Sequence, residues 1–309
     1  MSDAERINTD RVWLIDKLNM NDINMQMKSA IKTDRSIGAI LIDIGKLSIQ
    51  EAEQILHLQK AENLRFGDAG IKLGLLTELD IQRALANQYD YPYLLKGDGA
   101  VSEALVAAYN PFSPQVELLR TLRSQLMLRR FTGDPNRKML TIVSSSRGEG
   151  RSYLAANLAV VFSQLGERTL LIDADLRNPC QHELFKLDNR HGFSSVLSGR
   201  DDAQAVQRVG NFVDLSVLTA GAIPPNPQEL LGRPALRNLL NMLNGVFDVI
   251  LIDTPASANF ADAQVLAARA GAAMMVARKN FSLLEQIRQQ TENMTQSGIE
   301  VIGSVLSEF

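Results

Sequence analysis

The chain has 309 residues, 45% of them hydrophobic, and a formal net charge of −3, which is enough apolar material for two cores and no charge excess for bulk nucleic-acid binding. Its one cysteine, Cys180, excludes an internal disulfide and is typical of a reducing compartment. The polar start MSDAERINTDRVW is not a signal peptide, and the most apolar stretch, 267–277, is too short to span a bilayer and carries Arg269. We therefore expect a soluble, cytoplasmic protein without a nucleic-acid partner.

An internal repeat follows a polar segment at residues 1–30. Within residues 31–95, the segment 36–59 (SIGAILIDIGKLSIQEAEQILHLQ) aligns with 65–88 (RFGDAGIKLGLLTELDIQRALANQ). Ser48 and Thr77 stand at matching positions, where each can cap the helix that follows. The repeat predicts a small, mainly helical domain made of two copies of one unit. The identical aligned pairs are Gly38/Gly67, Gly45/Gly74, Leu47/Leu76, Leu56/Leu85 and Gln59/Gln88.

A linker and one helix occupy residues 96–136. The segment YNPFSP (109–114) marks a break, and VELLRTLRSQL (116–126) has a helical pattern. Glu117, Arg120 and Arg123 recur at a spacing of three, which places them on one helical face. A solvated charged face is one interpretation of this spacing, and a contact face is the other.

Short apolar strands alternate with helical patterns over residues 137–309. Because each strand is almost wholly apolar, the pattern predicts an α/β fold with a doubly wound parallel sheet covered on both faces. The predicted strands are Met139–Ser146, Thr169–Ile172, Leu215–Leu218, Val249–Ile252, Ala273–Val276 and Val301–Val305. The predicted helices include Tyr153–Leu165, Pro234–Asn244 and Leu283–Ser297.

The segment SSSRGEGRS (144–152) lies between the first of these strands and a helix. Gly148 and Gly150 allow the backbone N–H groups to wrap an anion at the helix N-terminus, and Ser152 stands where a hydroxyl would hold Mg²⁺. A serine at 145 stands where such loops usually have glycine, and Arg151 replaces the usual lysine. Arginine keeps the positive charge and can bind phosphate bidentately. Considered by itself, the loop could also be an ordinary strand–helix turn.

Three carboxylates strengthen the prediction of a nucleotide site. Asp173 and Asp175 follow the second predicted strand, and Asp253 follows a later one. Acids at the carboxyl ends of parallel strands point into the crevice where ligands bind, and there they can hold Mg²⁺ and orient a nucleophile. Together with the glycine-containing loop, they predict that this end of the sheet binds a nucleotide.

The loop, LLIDADLRNP (170–179) and VILIDTP (249–255) resemble the three Walker-type motifs of bacterial tyrosine autokinases, which are MinD/ParA-like P-loop ATPases. The resemblance covers about residues 115–309 and is strongest to the EpsG-type proteins of exopolysaccharide gene clusters. It implies ATP and Mg²⁺ as ligands, with Arg151, Asp173 and Asp175 catalytic and Ser152, Asp173 and Asp253 at the metal. The residues it implies for ATP binding are Gly148, Glu149, Gly150, Arg151, Ser152 and Tyr153.

The same resemblance has implications for partners. It implies a homo-oligomer formed through Glu117, Arg120 and Arg123, and a membrane chain-length-determinant partner that brings the protein to the inner membrane. The autokinases end in a tyrosine-rich tail, whereas this chain ends GSVLSEF, so we expect the usual phosphate acceptor to be missing. Two functions stay open: a tyrosine-kinase-like regulator of exopolysaccharide biosynthesis and export, or an ATP-driven switch or scaffold without protein-kinase activity.

The repeat at 31–95 resembles the MshE-type N-terminal domain of pilus and secretion ATPases, which binds cyclic di-GMP. In that family an arginine opens each copy; here Arg65 opens the second copy, whereas Ser36 opens the first and Arg35 precedes it. A small docking module, with turn glycines and core leucines, is the alternative. The residues implied for cyclic di-GMP are Arg65, Gly38, Gly67, Gln59 and Gln88.

Overall fold

The computed structural model describes residues 36–88, 91–94, 97–131, 134, 137–258 and 260–308. The polar segment at 1–30 and Arg35 lie outside the described residues. The described residues up to Pro92 form one compact unit, and those from Tyr93 onward form a second. In the part of the chain that the structure describes, no helix combines the length and apolar character needed to cross a bilayer.

The first unit consists of two helix pairs that follow the sequence repeat. A short helix is followed by a longer one in each copy, and the second pair begins at the residues that align with the start of the first pair. The sequence repeat is therefore also a structural repeat. The four helices are α1 (Ile37–Asp43), α2 (Ile49–Glu62), α3 (Phe66–Lys72) and α4 (Glu78–Gln88).

The two copies share the same turn between their helices. Gly45 and Gly74 have φ angles of 73° and 71°, a left-handed conformation that glycine adopts without steric cost. Ser48 then caps α2 in a capping box with Glu51. The Asp80 N–H donates to Thr77 Oγ1 at 3.2 Å, and the Thr77 N–H donates to Asp80 Oδ2 at 2.9 Å. The matching positions of Ser48 and Thr77 thus have matching roles. The buried side chains at the centre of the unit include Leu41, Leu47, Ala52, Ile55, Leu76 and Ala84.

The second unit is built on a seven-stranded sheet. Its strands are β1 (Met139–Ser144), β2 (Thr169–Asp173), β3 (Val206–Arg208), β4 (Leu215–Leu218), β5 (Val249–Asp253), β6 (Ala272–Arg278) and β7 (Glu300–Ser307). The order across the sheet is β3-β4-β2-β5-β1-β6-β7. Every neighbouring pair is parallel except β3 and β4. The predicted parallel α/β sheet is confirmed, and an antiparallel edge strand, which the sequence did not indicate, is added to it.

Helices cover both faces of this sheet. Alternate residues of β1 and β6 contribute to two different cores, because successive side chains of a strand point to opposite faces. One core packs against α6 and α7, and the other against α12 and α13. The helices of this unit are α5 (Val106–Tyr109), α6 (Pro114–Leu126), α7 (Arg151–Ser163), α8 (Gln181–Phe185), α9 (Phe193–Leu197), α10 (Pro227–Leu231), α11 (Pro234–Asn244), α12 (Asp262–Ala270) and α13 (Leu284–Gln296).

The topology brings the predicted site together at one edge of the sheet. Strand β5 lies between β1 and β2, and Asp173 is paired in register with Asp253. The loop that follows β1 therefore faces both acids. Helix α7, which begins at the end of this loop, is apolar on nearly all sides because it is buried under α5 and α6.

Candidate nucleotide-binding site

The loop between β1 and α7 presents a row of free backbone donors. Gly148 and Gly150 have φ angles of 83° and 89°, which turn the backbone inward. Within the described chain, the backbone N–H groups of residues 147–153 have no hydrogen-bond acceptor; the first N–H bonded along the helix is that of Leu154, which donates to the Gly150 carbonyl at 2.9 Å. Consecutive free N–H groups at a helix N-terminus form an anion-binding concavity suited to phosphate.

Glu149 holds this loop in shape from within. Its side chain is buried, and one carboxylate oxygen accepts from the Ser146 N–H at 2.7 Å while the other accepts from the Ser282 hydroxyl. The Ser307 hydroxyl donates to the Glu149 carbonyl at 2.8 Å, and Arg278 donates to the Gly148 carbonyl at 3.2 Å. Glu149 therefore contributes a backbone N–H to the concavity, while its carboxylate binds Ser282, which follows β6, and its carbonyl binds Ser307 of β7.

Asp173 organises the segment that follows β2. The residue is fully buried, and its Oδ1 accepts from the Asp175 N–H at 3.2 Å. Its Oδ2 accepts from the N–H groups of Cys180 and Gln181 at 3.1 and 2.9 Å. These three bonds occupy both oxygens and fold residues 174–181 over the end of the sheet.

Asp175 lies two residues after the end of β2, in the same segment. Its Oδ1 accepts from the N–H groups of Arg177 and Asn178 at 3.1 and 2.9 Å, which makes a tight turn. Its Oδ2 faces Arg151 across 3.5 Å. Asp175 thus keeps one oxygen directed toward the charged groups of the crevice.

The Arg151 side chain lies among the acids. Only 7% of it is exposed, and its guanidinium donates to the Ser144 hydroxyl. Its Nη2 is 3.5 Å from Asp175 Oδ2, and its Nε is 3.4 Å from Asp253 Oδ1, although this second pair does not have hydrogen-bond geometry. In this structure Arg151 supplies positive charge to the carboxylates, rather than reaching toward the row of N–H groups.

The acids of the crevice outnumber the one arginine that lies among them. Burial raises the pKa of Asp173 well above its usual range, and the nearby Asp253 carboxylate raises it further. Burial also raises the pKa of Asp253, against the opposing effect of the Arg151 charge. Deprotonated carboxylates in such a place are stabilised by an added cation.

The donor set fits Mg²⁺ bound together with phosphates. Asp253 Oδ1 is buried and has no hydrogen-bond partner among the described residues, and the Ser152 hydroxyl faces the same carboxylate. The described residues contain no cluster of three acidic, histidine or cysteine side chains placed to hold a metal by themselves. Mg²⁺ typically uses one or two carboxylates, substrate phosphates and water, so Ser152 and Asp253 suit it only when a nucleotide completes the shell.

Two residues of the site were not found from the sequence. Gln181, at the start of α8, donates from Nε2 to Asp253 Oδ2 at 2.8 Å. Arg177 donates from Nε to Asp262 Oδ2 at 2.7 Å and stacks on the Phe260 ring at 3.6 Å, which ties the segment after β2 to the start of α12. Their partners lie more than 70 residues away, so the only local signal was a polar residue close to the acidic motif.

The predicted assembly helix has its three residues in two different environments. Arg120 pairs with Glu117 at 2.9 Å, and the Glu117 side chain is 67% exposed. Arg123 instead donates to the Val161 carbonyl of α7 at 2.8 Å. The structure therefore places Glu117 and Arg120 together on the surface and turns Arg123 toward its own chain.

The residues predicted for cyclic di-GMP occupy equivalent places in the two copies. Ser36 caps α1 by accepting from the Ala39 N–H at 3.3 Å, whereas Arg65, at the matching position before α3, is exposed and makes no cap bond. A side chain on Gly38 would meet the Phe66 ring at 3.1 Å, and one on Gly67 would meet Ile81 at 2.8 Å, so both glycines permit close packing. The half-buried glutamines of the prediction are Gln59 and Gln88.

Comparisons with known proteins agree with this geometry. The family model for the cellulose biosynthesis protein BcsQ matches residues 138–297. Tyrosine-protein kinase YwqD of Bacillus subtilis (strain 168) is 36% identical over 203 residues, which are 66% of this chain and 85% of YwqD. Tyrosine-protein kinase etk of Escherichia coli (strain K12) is 32% identical over 202 residues, which are 65% of this chain but only 28% of that protein.

Solved structures show the same relation. The kinase domain of the Escherichia coli tyrosine kinase ETK superposes with a TM-score of 0.63 at 32% identity, covering 66% of this chain and 79% of that one. The chimeric protein CapA2B2 gives 0.62 at 32% identity, with coverage of 72% and 97%.

The sheet, the loop and the strand-end acids define a P-loop protein of the doubly wound α/β class. Within that class, the chain belongs to the family that contains the bacterial tyrosine-protein kinases and is described by the BcsQ family model. The resemblance to these kinases is confirmed, and the MshE-type resemblance of the first unit stays a prediction.

Proposed function

We propose that the second unit binds Mg·ATP at the loop 144–152 and acts as a tyrosine-kinase-like regulator of exopolysaccharide biosynthesis and export. The observation that supports this most is the row of free N–H groups at residues 147–153, facing two buried carboxylates in register on neighbouring strands. The names of the relatives, tyrosine-protein kinases YwqD and etk, favour phosphoryl transfer over other uses of such a site.

Each residue of the site has a separate role in nucleotide binding or phosphoryl transfer. The N–H groups of residues 148–153 bind the phosphates, and Ser152 and Asp253 hold the metal. A bound Mg²⁺ neutralises charge on the phosphate oxygens during phosphoryl transfer. Arg151 supplies a second positive charge. Asp173, whose two oxygens already accept three backbone bonds, keeps the segment after β2 in place, and Asp175, with one oxygen directed into the crevice, accepts the proton of the attacking group.

Incubation with ATP labelled on the γ-phosphate tests this proposal and its alternative. Label on protein tyrosine supports a kinase, and release of free phosphate alone supports an ATP-driven switch. Failure to bind Mg·ATP leaves a scaffold. Asp175→Asn should abolish transfer while keeping Mg·ADP affinity within about threefold, because Asp175 is not assigned to the metal. Asp202→Asn, a change at a surface acid near β3, is the matched control and should alter neither quantity.

The proposal includes self-association and a membrane partner. The surface of α6 and of the π-helical segment Met127–Phe131 that follows it combines the Glu117–Arg120 pair with two exposed apolar side chains, Leu118 at 72% and Leu128 at 80%. Exposed leucines beside a charged pair suit a contact face. We assign this face, with Arg123 behind it, to a homo-oligomer, and we assign localisation at the inner membrane to a chain-length-determinant partner of the export system. Cross-linking in membranes with and without that partner tests the second assignment.

A response to cyclic di-GMP is the proposed role of the first unit. Two observations favour it: the structural repeat, and the apolar side chains Ile44 and Leu73, which are 51% and 41% exposed at matching positions just before the two turn glycines. Arg65 is exposed and available to stack on a guanine base. Calorimetry on the full chain should show binding that Arg65→Ala removes and Lys60→Ala does not. No binding at concentrations up to about 100 μM would favour a docking module instead.

A further inference from the structure

Gln181 joins the three parts of the nucleotide site. It is fully buried at the start of α8. Its Nε2 donates to Asp253 Oδ2 at 2.8 Å and to the Ser152 carbonyl at 3.1 Å, and its backbone N–H donates to Asp173 Oδ2 at 2.9 Å. One side chain therefore links the first turn of α7, the end of β2 and the end of β5.

The orientation of this amide is fixed by its partners. The Asp253 carboxylate and the Ser152 carbonyl are both acceptors, so only the NH₂ group of Gln181 can face them. The Oε1 atom is then left to accept from a different donor. It cannot turn to find a donor without breaking both bonds of Nε2.

Two acceptors of this crevice form no hydrogen bond. Gln181 Oε1 and Asp253 Oδ1 are both buried and have no hydrogen-bond partner in the part of the chain that the structure describes, although Oδ1 lies 3.4 Å from Arg151 Nε. Buried acceptors ordinarily accept a hydrogen bond, and a buried acceptor that accepts none lowers the stability of the folded state. The two atoms belong to side chains that are hydrogen-bonded to each other, and they lie beside a loop of unbonded N–H groups. Such a pair of acceptors suits a ligand that carries positive charge and donates hydrogen bonds.

We propose that Gln181 is a positioning residue for the metal ion of the nucleotide site. Its Nε2 holds Asp253 so that Oδ1 stays available to the ion, and its Oε1 accepts a hydrogen bond from a water molecule of the ion's shell. Water bound to a cation is a strong hydrogen-bond donor, which suits the buried Oε1 atom. This inference rests on the proposed function of the loop 144–152.

A purely structural role for Gln181 gives a different expectation. If the side chain only tied α7 to β5, its loss would disturb the loop and weaken nucleotide binding equally with and without metal. If it positions the metal, its loss weakens metal binding selectively. Removal of a residue that orients a metal ligand through a hydrogen bond typically weakens metal binding by about 10–100-fold.

The test compares Gln181→Met with Gln164→Met. Methionine keeps the length of glutamine and removes both the donor and the acceptor. Gln164, at the end of α7, donates from Nε2 to the Ala107 carbonyl at 3.1 Å, outside the nucleotide site, and so makes a matched control. The affinity for Mn²⁺ in the presence of ADP is measured by electron paramagnetic resonance, and the affinity for ADP without metal by calorimetry.

Gln181→Met should weaken Mn²⁺ binding by about 10–100-fold while changing metal-free ADP affinity by less than about threefold, and Gln164→Met should change neither. Equal losses with and without metal, or unchanged Mn²⁺ affinity, would overturn the inference. Should Gln181→Met fail to fold, Gln181→Asn takes its place, because a side chain one methylene shorter cannot reach Asp253 and Ser152 together. Absence of metal-dependent ADP binding in the wild type would overturn the proposed function as well, so the two failures are distinguishable.

Discussion

Removing the charge of Arg151 should destabilise the second unit in the absence of ligand. Its guanidinium is 3.5 Å from Asp175 Oδ2 and 3.4 Å from Asp253 Oδ1, and all three side chains are buried. At an effective dielectric constant of about 20, each contact is worth about 5 kcal/mol of Coulomb attraction, much of it offset by the desolvation of the charges. Taking away one partner of a buried pair leaves the other charge uncompensated, at a typical cost of about 3–5 kcal/mol.

Arg151→Met should therefore lose about 3–5 kcal/mol in the free energy of unfolding at pH 7.5. Arg151→Lys should lose less, about 1.5–3 kcal/mol, since it keeps the charge but cannot contact Ser144 and both acids at once.

Urea unfolding of the ligand-free protein, followed by circular dichroism, measures these free energies. Arg147→Met is the matched control: it removes an exposed arginine of the same loop and should stay within about 0.5 kcal/mol of the wild type. A methionine variant as stable as the wild type would refute the account of Arg151 as the counter-charge of the acids.

Three further predictions concern the Asp253 carboxyl group, the close contact at Gly192 and the exposed face of α6. Burial raises the pKa of Asp253 above its value in the unfolded chain, so the folded state binds a proton more readily than the unfolded state does. The free energy of unfolding of the wild type, compared with that of Asp253→Asn, should therefore rise as the pH falls from 7.5 toward about 4, as measured by urea midpoints. Gly192→Ala should destabilise the protein by about 3 kcal/mol or more in thermal unfolding, because its Cβ would lie 2.3 Å from the Thr219 carbonyl oxygen, whereas Gly210→Ala, with nothing within 4 Å, should be tolerated. Arg120→Glu should shift self-association toward the monomer in sedimentation velocity, because it places a second negative charge beside Glu117; an unchanged sedimentation profile would remove α6 from the assembly face.

The sheet could be predicted from the sequence because its strands are continuous apolar runs. The helix at Pro234–Asn244 was predicted with the observed bounds, and the strand at Val249–Ile252 was extended by one residue. The edge strand Val206–Arg208 was not predicted. It has three residues without an apolar run, and only its antiparallel pairing with β4 makes it a strand.

The candidate site could be predicted only in its local parts. Glycine spacing and strand-end acids are features of short segments, and they lie where the sequence placed them. The direction of the Arg151 side chain, the brace between Glu149 and Ser282, and the amide of Gln181 depend on contacts between distant segments. Such contacts are set by how β5, β6 and α8 meet the loop, which no single window of sequence contains.

A crystal structure grown with Mg²⁺ and a non-hydrolysable ATP analogue tests the central claim most directly. The account predicts phosphate oxygens within hydrogen-bond distance of the N–H groups of residues 148–153, with the metal beside Ser152 and Asp253. An analogue bound elsewhere at saturating concentration, with these N–H groups facing only water, would contradict it.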